Sequence, residues 1–441
     1  MVPAGKANNL RSVVEIPGNE KLGVYFICLL VYLFMEFGRP SNPMRIPMVI
    51  AVILFVGWLL HPTKKWNLQV TCFLLFLGVM ALHIPFADNT YTALWTTYLM
   101  VTTLAFTCLP LMHFVNSLRK LRLFILTFVA VFAYVGLWAI FHSGFGPAGA
   151  AGGQDENYVG LMMAMMIPFC FFSLFVETGW LKRLFLASAA VVGILATVVG
   201  FSRGGFLGLA AIFVYCVMKS PKKFFGVTIG LILAVGVVQY TSDEYWQEIH
   251  TITDTHEATA DMRLELWATA YRMFLDNPIL GVGPGNFLWR VAEYQTEEQY
   301  AKFGRSLDGS VVTHSLYFEL IAELGLTGAL LIGLILYQSY QDLRFVEKET
   351  KTQLALLALK ARGGTTRANF LRGDWILILT YRRAIMASSI GSLVCSVFLS
   401  TLYMSYVWLV CSMAVALRGI VSEELGQVEH PTVEGVRRER N

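Results

Sequence analysis

Apolar stretches long enough to cross a lipid bilayer recur from Leu22 almost to the C-terminus. They constrain the fold before any motif does. A hydrocarbon core about 30 Å thick takes roughly 20 residues of helix, because backbone N–H and C=O groups in lipid must bond within the segment. Composition agrees: of 441 residues, 56% are hydrophobic and 15% charged, where a soluble chain carries about a quarter. The mean hydropathy is +0.58. The ten-residue alternation of a membrane β-barrel is absent. The chain reads as all-α, a polytopic membrane protein with about twelve transmembrane helices.

Spans are expected near 22–37, 44–60, 68–87, 91–115, 121–141, 158–177, 183–200, 204–218, 223–240, 315–337, 384–402 and 403–418. Short loops sort by charge. One set carries Lys64 and Lys65; Arg119, Lys120 and Arg122; Lys182 and Arg183; and Lys219, Lys222 and Lys223. The alternate loops are poor in lysine and arginine, so the first set is expected in the cytoplasm. The organisation that follows is a cytoplasmic N-terminal segment at 1–21, nine spans within 22–240, and a large, partly helical outer loop at 241–313. A tenth span at 314–337, a basic cytoplasmic loop at 338–383, two last spans within 384–418 and a cytoplasmic tail at 419–441 complete it. The first twenty residues have no apolar core or small-residue cleavage site, so no removable signal peptide is expected. All seven cysteines fall in apolar runs and read as buried hydrophobes rather than disulfides or zinc ligands.

Arginines on the outer side run against the charge bias. They are Arg39, Arg45, Arg203, Arg263, Arg272, Arg290 and Arg305. Guanidinium groups match phosphate oxygens in geometry and charge, so the group points to an anionic, phosphate-bearing lipid; snorkelling and ordinary ion pairs are the alternative for any one of them. Arg203 lies in the tight hairpin "VVGFSRGGFLGLA", where Gly204 and Gly205 allow close approach and the next helix start offers free N–H groups. In "ADMRLELWATAYRMFLDNPILGVGPGNF", Arg263, Trp267, Ala270 and Phe274 share one helical face, while Glu265 and Arg272 share the opposite one. Arg263 is therefore the inward arginine, and Pro278 ends the helix. The following glycines lack the lysine and spacing of a nucleotide loop.

His314 sits at the outer mouth of the tenth span. An imidazole there can take a proton at neutral pH, or it can simply cap the helix. Glu319 and Glu323 follow on one face of that span, as satisfied carboxyls joining helices or as groups orienting an arginine. Asp155, Glu156 and Asn157 of "GQDENYVG" form an N-cap cluster at a span entrance. "TDTHEATAD" holds acids and a histidine without metal-site spacing and reads as a solvated loop.

"FSRGGFLGLA", "RLELWATAYRMFLDNPILGVGPGNF" and "THSLYFELIAELGLTG" together resemble the bacterial O-antigen ligase and polymerase superfamily, over roughly residues 155 to 335, with the "DEN" entrance near the start. The resemblance implies a metal-independent, cofactor-free glycosyl transfer at the periplasmic face of the inner membrane of a Gram-negative bacterium. It implies that Arg203 and Arg263, with Arg272, Arg39 and Arg45 as further candidates, hold the diphosphate of an undecaprenyl-diphosphate-linked glycan. His314 would be the base, supported by Glu323, Glu319 and Asn157. The implied partners are that donor, an acceptor glycolipid or glycan, and membrane lipid, with no nucleic acid. A ligase would deliver the glycan to lipid A–core, a polymerase to another lipid-linked repeat, and a protein O-glycosylase to a protein hydroxyl. A polysaccharide transporter would instead show paired, interrupted mid-membrane helices in corresponding halves, and the sequence shows no such pairing.

Overall fold

The structure, a computed structural model, describes residues 21–38, 46–62, 64, 66–148, 150, 155–220, 258–303, 311–360 and 366–429. Secondary structure among them is helical throughout. The first half contains α1 (Val24–Phe37), α2 (Ile46–Leu60), α3 (Leu68–His83), α4 (Thr90–Thr102), α5 (Leu109–Phe114) and α6 (Leu118–Phe141). Then come α7 (Glu156–Ser173), α8 (Trp180–Val199) and α9 (Arg203–Lys219). The remainder is α10 (Ala258–Asp276), α11 (Phe287–Arg290), α12 (Glu297–Phe303), α13 (Leu316–Lys360), α14 (Thr366–Cys395) and α15 (Ser405–Glu429).

Helix starts follow from the residue types at their caps. Asn67, Asn89, Ser117, Asp155 and Ser202 each place a side-chain oxygen on a backbone N–H of the first turn. α4 runs into α5 through a π-helical turn, Thr103–Cys108. The missing N–H of Pro110 removes a rung of the ladder just beyond it.

Among the described residues, seven helical segments are long and apolar enough to cross a bilayer, against the expected count of about twelve. α1 and α2 are apolar but have 14 and 15 residues, and α9 has 17. The span expected near 223–240 lies outside the described residues, as do Arg39 and Arg45. Within the segment 338–383, the described residues 338–360 and 366–383 are helical. α13 continues for 45 residues to Lys360, roughly 65 Å of helix, and α14 begins at Thr366. Pairs such as Glu347–Lys351 (2.7 Å, i,i+4) support the extension.

α7 is the central helix, packed by α6, α8, α9 and α14, and every side chain from Leu161 to Met166 is fully buried. Close approach depends on glycine pairing: a Cβ on Gly205 would lie 3.1 Å from the Gly160 Cα, and one on Gly208 only 2.3 Å from Cys395 Sγ. A second apolar cluster joins α3, α4, α5, α13 and α15. A third, containing Leu266, Ala270, Met273, Val282 and Ala322, seats α10 and the turn after it on the start of α13.

That seat includes a break in the long helix. At Gly325 (φ +58) α13 loses its ladder, and the "DNPILGVG" turn supplies the missing partners. Leu326 N donates to Pro278 O (2.8 Å) and Thr327 N to Ile279 O (3.1 Å). In return, Val282 N and Gly283 N donate to Ala322 O and Glu323 O, both at 2.9 Å. Irregular backbone inside a membrane protein persists where such bonds are replaced. A Cβ at Gly281 would sit 2.3 Å from the Glu323 carbonyl carbon, so both positive φ and space demand glycine there.

Candidate active site

Three helices, α7, α9 and α13, begin at one end of the bundle, and short polar residues stitch their first turns together. Asp155 caps α7, its carboxylate accepting from Asn157 N at 2.7 Å. The Ser202 hydroxyl accepts from Gly205 N at 3.0 Å, capping α9, and donates to the Asn157 side-chain oxygen at 2.9 Å. The start of α13 is tied through the elbow 396–404 between α14 and α15. There Leu316 N donates to Ser396 O (3.0 Å), Thr313 Oγ1 meets Ser400 Oγ (3.2 Å), and Tyr158 OH donates to Ser400 O (2.8 Å). The positive dipole ends of three helices thus converge.

Arg203 is the first residue of α9 and is half-buried. Gly204 beside it lies against Phe398, where a Cβ would be 3.4 Å from the Phe398 Cβ. Gly204 packs against Phe398 of the 396–404 segment, and Gly205 against Thr197 and Gly160 of α8 and α7. Arg263 comes from α10, one helical turn before Trp267. The Trp267 ring lies 6.1 Å from that of Phe398, so the arginine-bearing helices α9 and α10 meet across one phenylalanine. The Arg263 charge acts on both Glu156 and His314.

His314 precedes α13 with φ +49, a left-handed conformation that costs a non-glycine residue energy and often marks a working site. It is half-buried, and burial holds its pKa below the ordinary histidine value. The Arg263 guanidinium pushes in the same direction, and the Asp155 carboxylate opposes it. The imidazole is therefore neutral at neutral pH and able to accept a proton.

Other candidates stand apart from this group. Arg272 is committed within its own segment: Nε donates to Tyr294 O (2.9 Å), and Nη2 donates to Thr269 Oγ1 (2.9 Å) and Gln299 Oε1 (2.6 Å). It braces α10 against the loop rather than joining Arg203 and Arg263, because it lies on the opposite helical face. Glu323 accepts from Gly285 N (2.6 Å), Phe287 N (3.0 Å) and Tyr403 OH (2.5 Å) and fastens the glycine turn to α13. Glu319 packs under the site, with one carboxylate oxygen buried without a hydrogen-bond partner and the Leu402 backbone against the carboxyl group.

Sequence reasoning missed the elbow 396–404 and the bond from Trp267 Nε1 to Thr313 O (3.0 Å). Serines and threonines interrupting the apolar run, and the i,i+4 spacing of Arg263 and Trp267, were the available signals. Among the described residues, no three His, Cys, Asp or Glu side chains gather as a metal-binding group.

No curated protein matches the chain. Residues 188–333, from within α8 to the middle of α13, match the family model described as O-antigen ligase. That stretch carries Arg203, Arg263 and His314, and over it the chain is similar to the O-antigen ligase and polymerase superfamily.

Proposed function

We propose that the chain transfers a glycan from an undecaprenyl-diphosphate-linked donor to an acceptor hydroxyl at the periplasmic face of the inner membrane, as an O-antigen ligase whose acceptor is lipid A–core. One observation supports the reading: the starts of α7, α9 and α13 are tied together at one end of the bundle, which brings Arg203, the first residue of α9, to the same end as His314, on which the Arg263 charge acts. Orientation is supported by charge. Lys64, Arg119, Lys182 and Lys219 stand at the helix ends opposite to the site, as cytoplasmic loops would.

In the proposed reaction the acceptor oxygen forms a bond to the anomeric carbon while the bond from that carbon to the diphosphate oxygen breaks. The hydroxyl proton passes to His314, and undecaprenyl diphosphate leaves with the bonding pair. Arg203, Arg263 and the helix N-termini stabilise the charge that develops on it, an effect worth about 10²–10³-fold for one well-placed donor. A positioned base adds about 10²–10⁴-fold. A single displacement inverts the anomeric centre.

Reconstitution of the full chain with a lipid-linked glycan and lipid A–core tests this. Wild type is expected to yield glycosylated lipid A–core, with product formation falling at least about 10²-fold in His314→Ala and in Arg203→Ala. Undiminished product in both variants sinks the assignment. Elongated lipid-linked glycan formed without lipid A–core would instead identify a polymerase.

A further inference from the structure

His314 needs something to hold it, because a non-glycine residue relaxes out of a left-handed conformation unless its surroundings over-determine it. α13 secures only the residues that follow. On the preceding side, the Thr313 hydroxyl is engaged with Ser315 O (3.0 Å) and Ser400 Oγ (3.2 Å), but its carbonyl belongs to the same peptide unit as the His314 nitrogen. That carbonyl accepts the indole N–H of Trp267 at 3.0 Å. The indole is itself immobilised, stacked on Phe318 at 5.0 Å between centroids and 12° between planes, with Phe398 on another side.

We infer that Trp267 is a positioning residue: its indole N–H clamps the peptide before His314 and so fixes the direction of the imidazole. Because Trp267 and Arg263 are one turn apart on α10, the same helix sets both the phosphate-facing cation and the base. This rests on the proposed function. It adds a residue that touches neither donor nor acceptor, yet on which turnover depends.

Trp267→Phe keeps the ring on Phe318 and deletes the donor. In the reconstituted reaction we expect turnover to fall about 10-fold with the donor KM within about twofold of wild type, since a misdirected base affects the transition state rather than ground-state binding. The acidic limb of the rate profile should also move up toward the ordinary histidine range, as a loosened imidazole regains water. The charged groups facing that ring are Arg263 from α10 and Asp155 from the start of α7, and both remain. A purely structural loss lowers the amplitude and leaves the limb in place. Should Trp267→Phe fail to fold, benzothienylalanine at position 267, which keeps the indole shape and replaces N–H by sulfur, is expected to give the same slowing and limb shift. Wild-type turnover and an unmoved limb in a folded variant, with His314→Ala inactive, overturn the clamp. Activity retained by His314→Ala itself overturns the underlying reading instead.

Discussion

The Ser202 hydroxyl donates to the side-chain oxygen of Asn157 at 2.9 Å, bridging the first turns of α9 and α7 immediately beside Arg203. The same oxygen caps α9 by accepting from Gly205 N. One buried hydroxyl thus terminates a helix and registers it against its neighbour. Both hold the backbone from which Arg203 projects.

Ser202→Ala deletes cap and bridge together, whereas Asn157→Ala leaves the cap and deletes the bridge, along with the longer bond from Asn157 Nδ2 to Glu156 Oε1 (3.3 Å). We expect Ser202→Ala to cost about 1 kcal/mol of stability through the lost cap. Both variants should slow transfer to a similar extent, about 10-fold, with the double variant little slower than either, because groups sharing one interaction are not additive. Transfer rates and thermal melts in detergent, arranged as a double-mutant cycle, read this out. Additive losses would mean that the bridge does not aim Arg203.

The pH dependence follows from the surroundings of His314. Burial first, and the Arg263 charge second, lower its pKa from 6.5. A base works in its neutral form, so transfer should rise as pH passes upward through this lowered value and be level by neutrality. Arg263→Gln removes a charge that disfavours the imidazolium. Its profile should therefore be displaced to higher pH as well as lowered. A limb that stays in place, or moves down, would separate Arg263 from His314.

How far the chain could be read without coordinates depended on the range of the interactions involved. α10 stops at Asp276, as Pro278 requires, because a helix end is decided within a few residues. The opposed faces of Arg263 and Arg272 likewise follow from a 100° step, and the bonds of Arg272 lie on its own side. The break at Gly325 was not legible, because it is stable only when a turn some forty residues earlier supplies its hydrogen bonds. The helix through 338–360 was hidden for a different reason. Hydropathy reports where apolar residues stop, and a polar, well-paired helix does not stop there. Ser396 and Ser400 looked like polar flecks within a span; their bonds to α7 and to the start of α13 exist only in three dimensions.

The two α10 arginines should behave differently under substitution. Arg272→Gln removes bonds to Tyr294, Thr269 and Gln299; Gln299 Oε1 keeps Thr296 N, so the loss falls on Tyr294 O and Thr269 Oγ1, at about 1–3 kcal/mol each. We expect a lower melting temperature in the absence of any substrate and near-normal turnover per folded molecule. Arg263→Gln should lose most of its turnover per folded molecule. Equal loss of turnover per folded molecule in the two variants would return Arg272 to the donor site.

Glu323 offers the most direct test of how the glycine turn is held. Its carboxylate takes three donors, Gly285 N, Phe287 N and Tyr403 OH. Glu323→Gln is nearly isosteric but turns one acceptor oxygen into an NH₂ donor. At least one of the three bonds then becomes a donor facing a donor, and a buried donor left without an acceptor costs about 1–3 kcal/mol. Tyr403→Phe removes only one donor and leaves both backbone bonds, so its cost should be smaller, nearer 1 kcal/mol. Because the turn seals the break at Gly325, the harm should extend to the segment of α13 that begins beside His314. The expected order of melting temperature in detergent is wild type, Tyr403→Phe, then Glu323→Gln. Amide exchange at Val282 and Gly283, which donate to α13 carbonyls, should be faster in Glu323→Gln. Glu323→Gln melting with wild type and unchanged exchange at those two amides would show that the turn is seated by its backbone bonds alone.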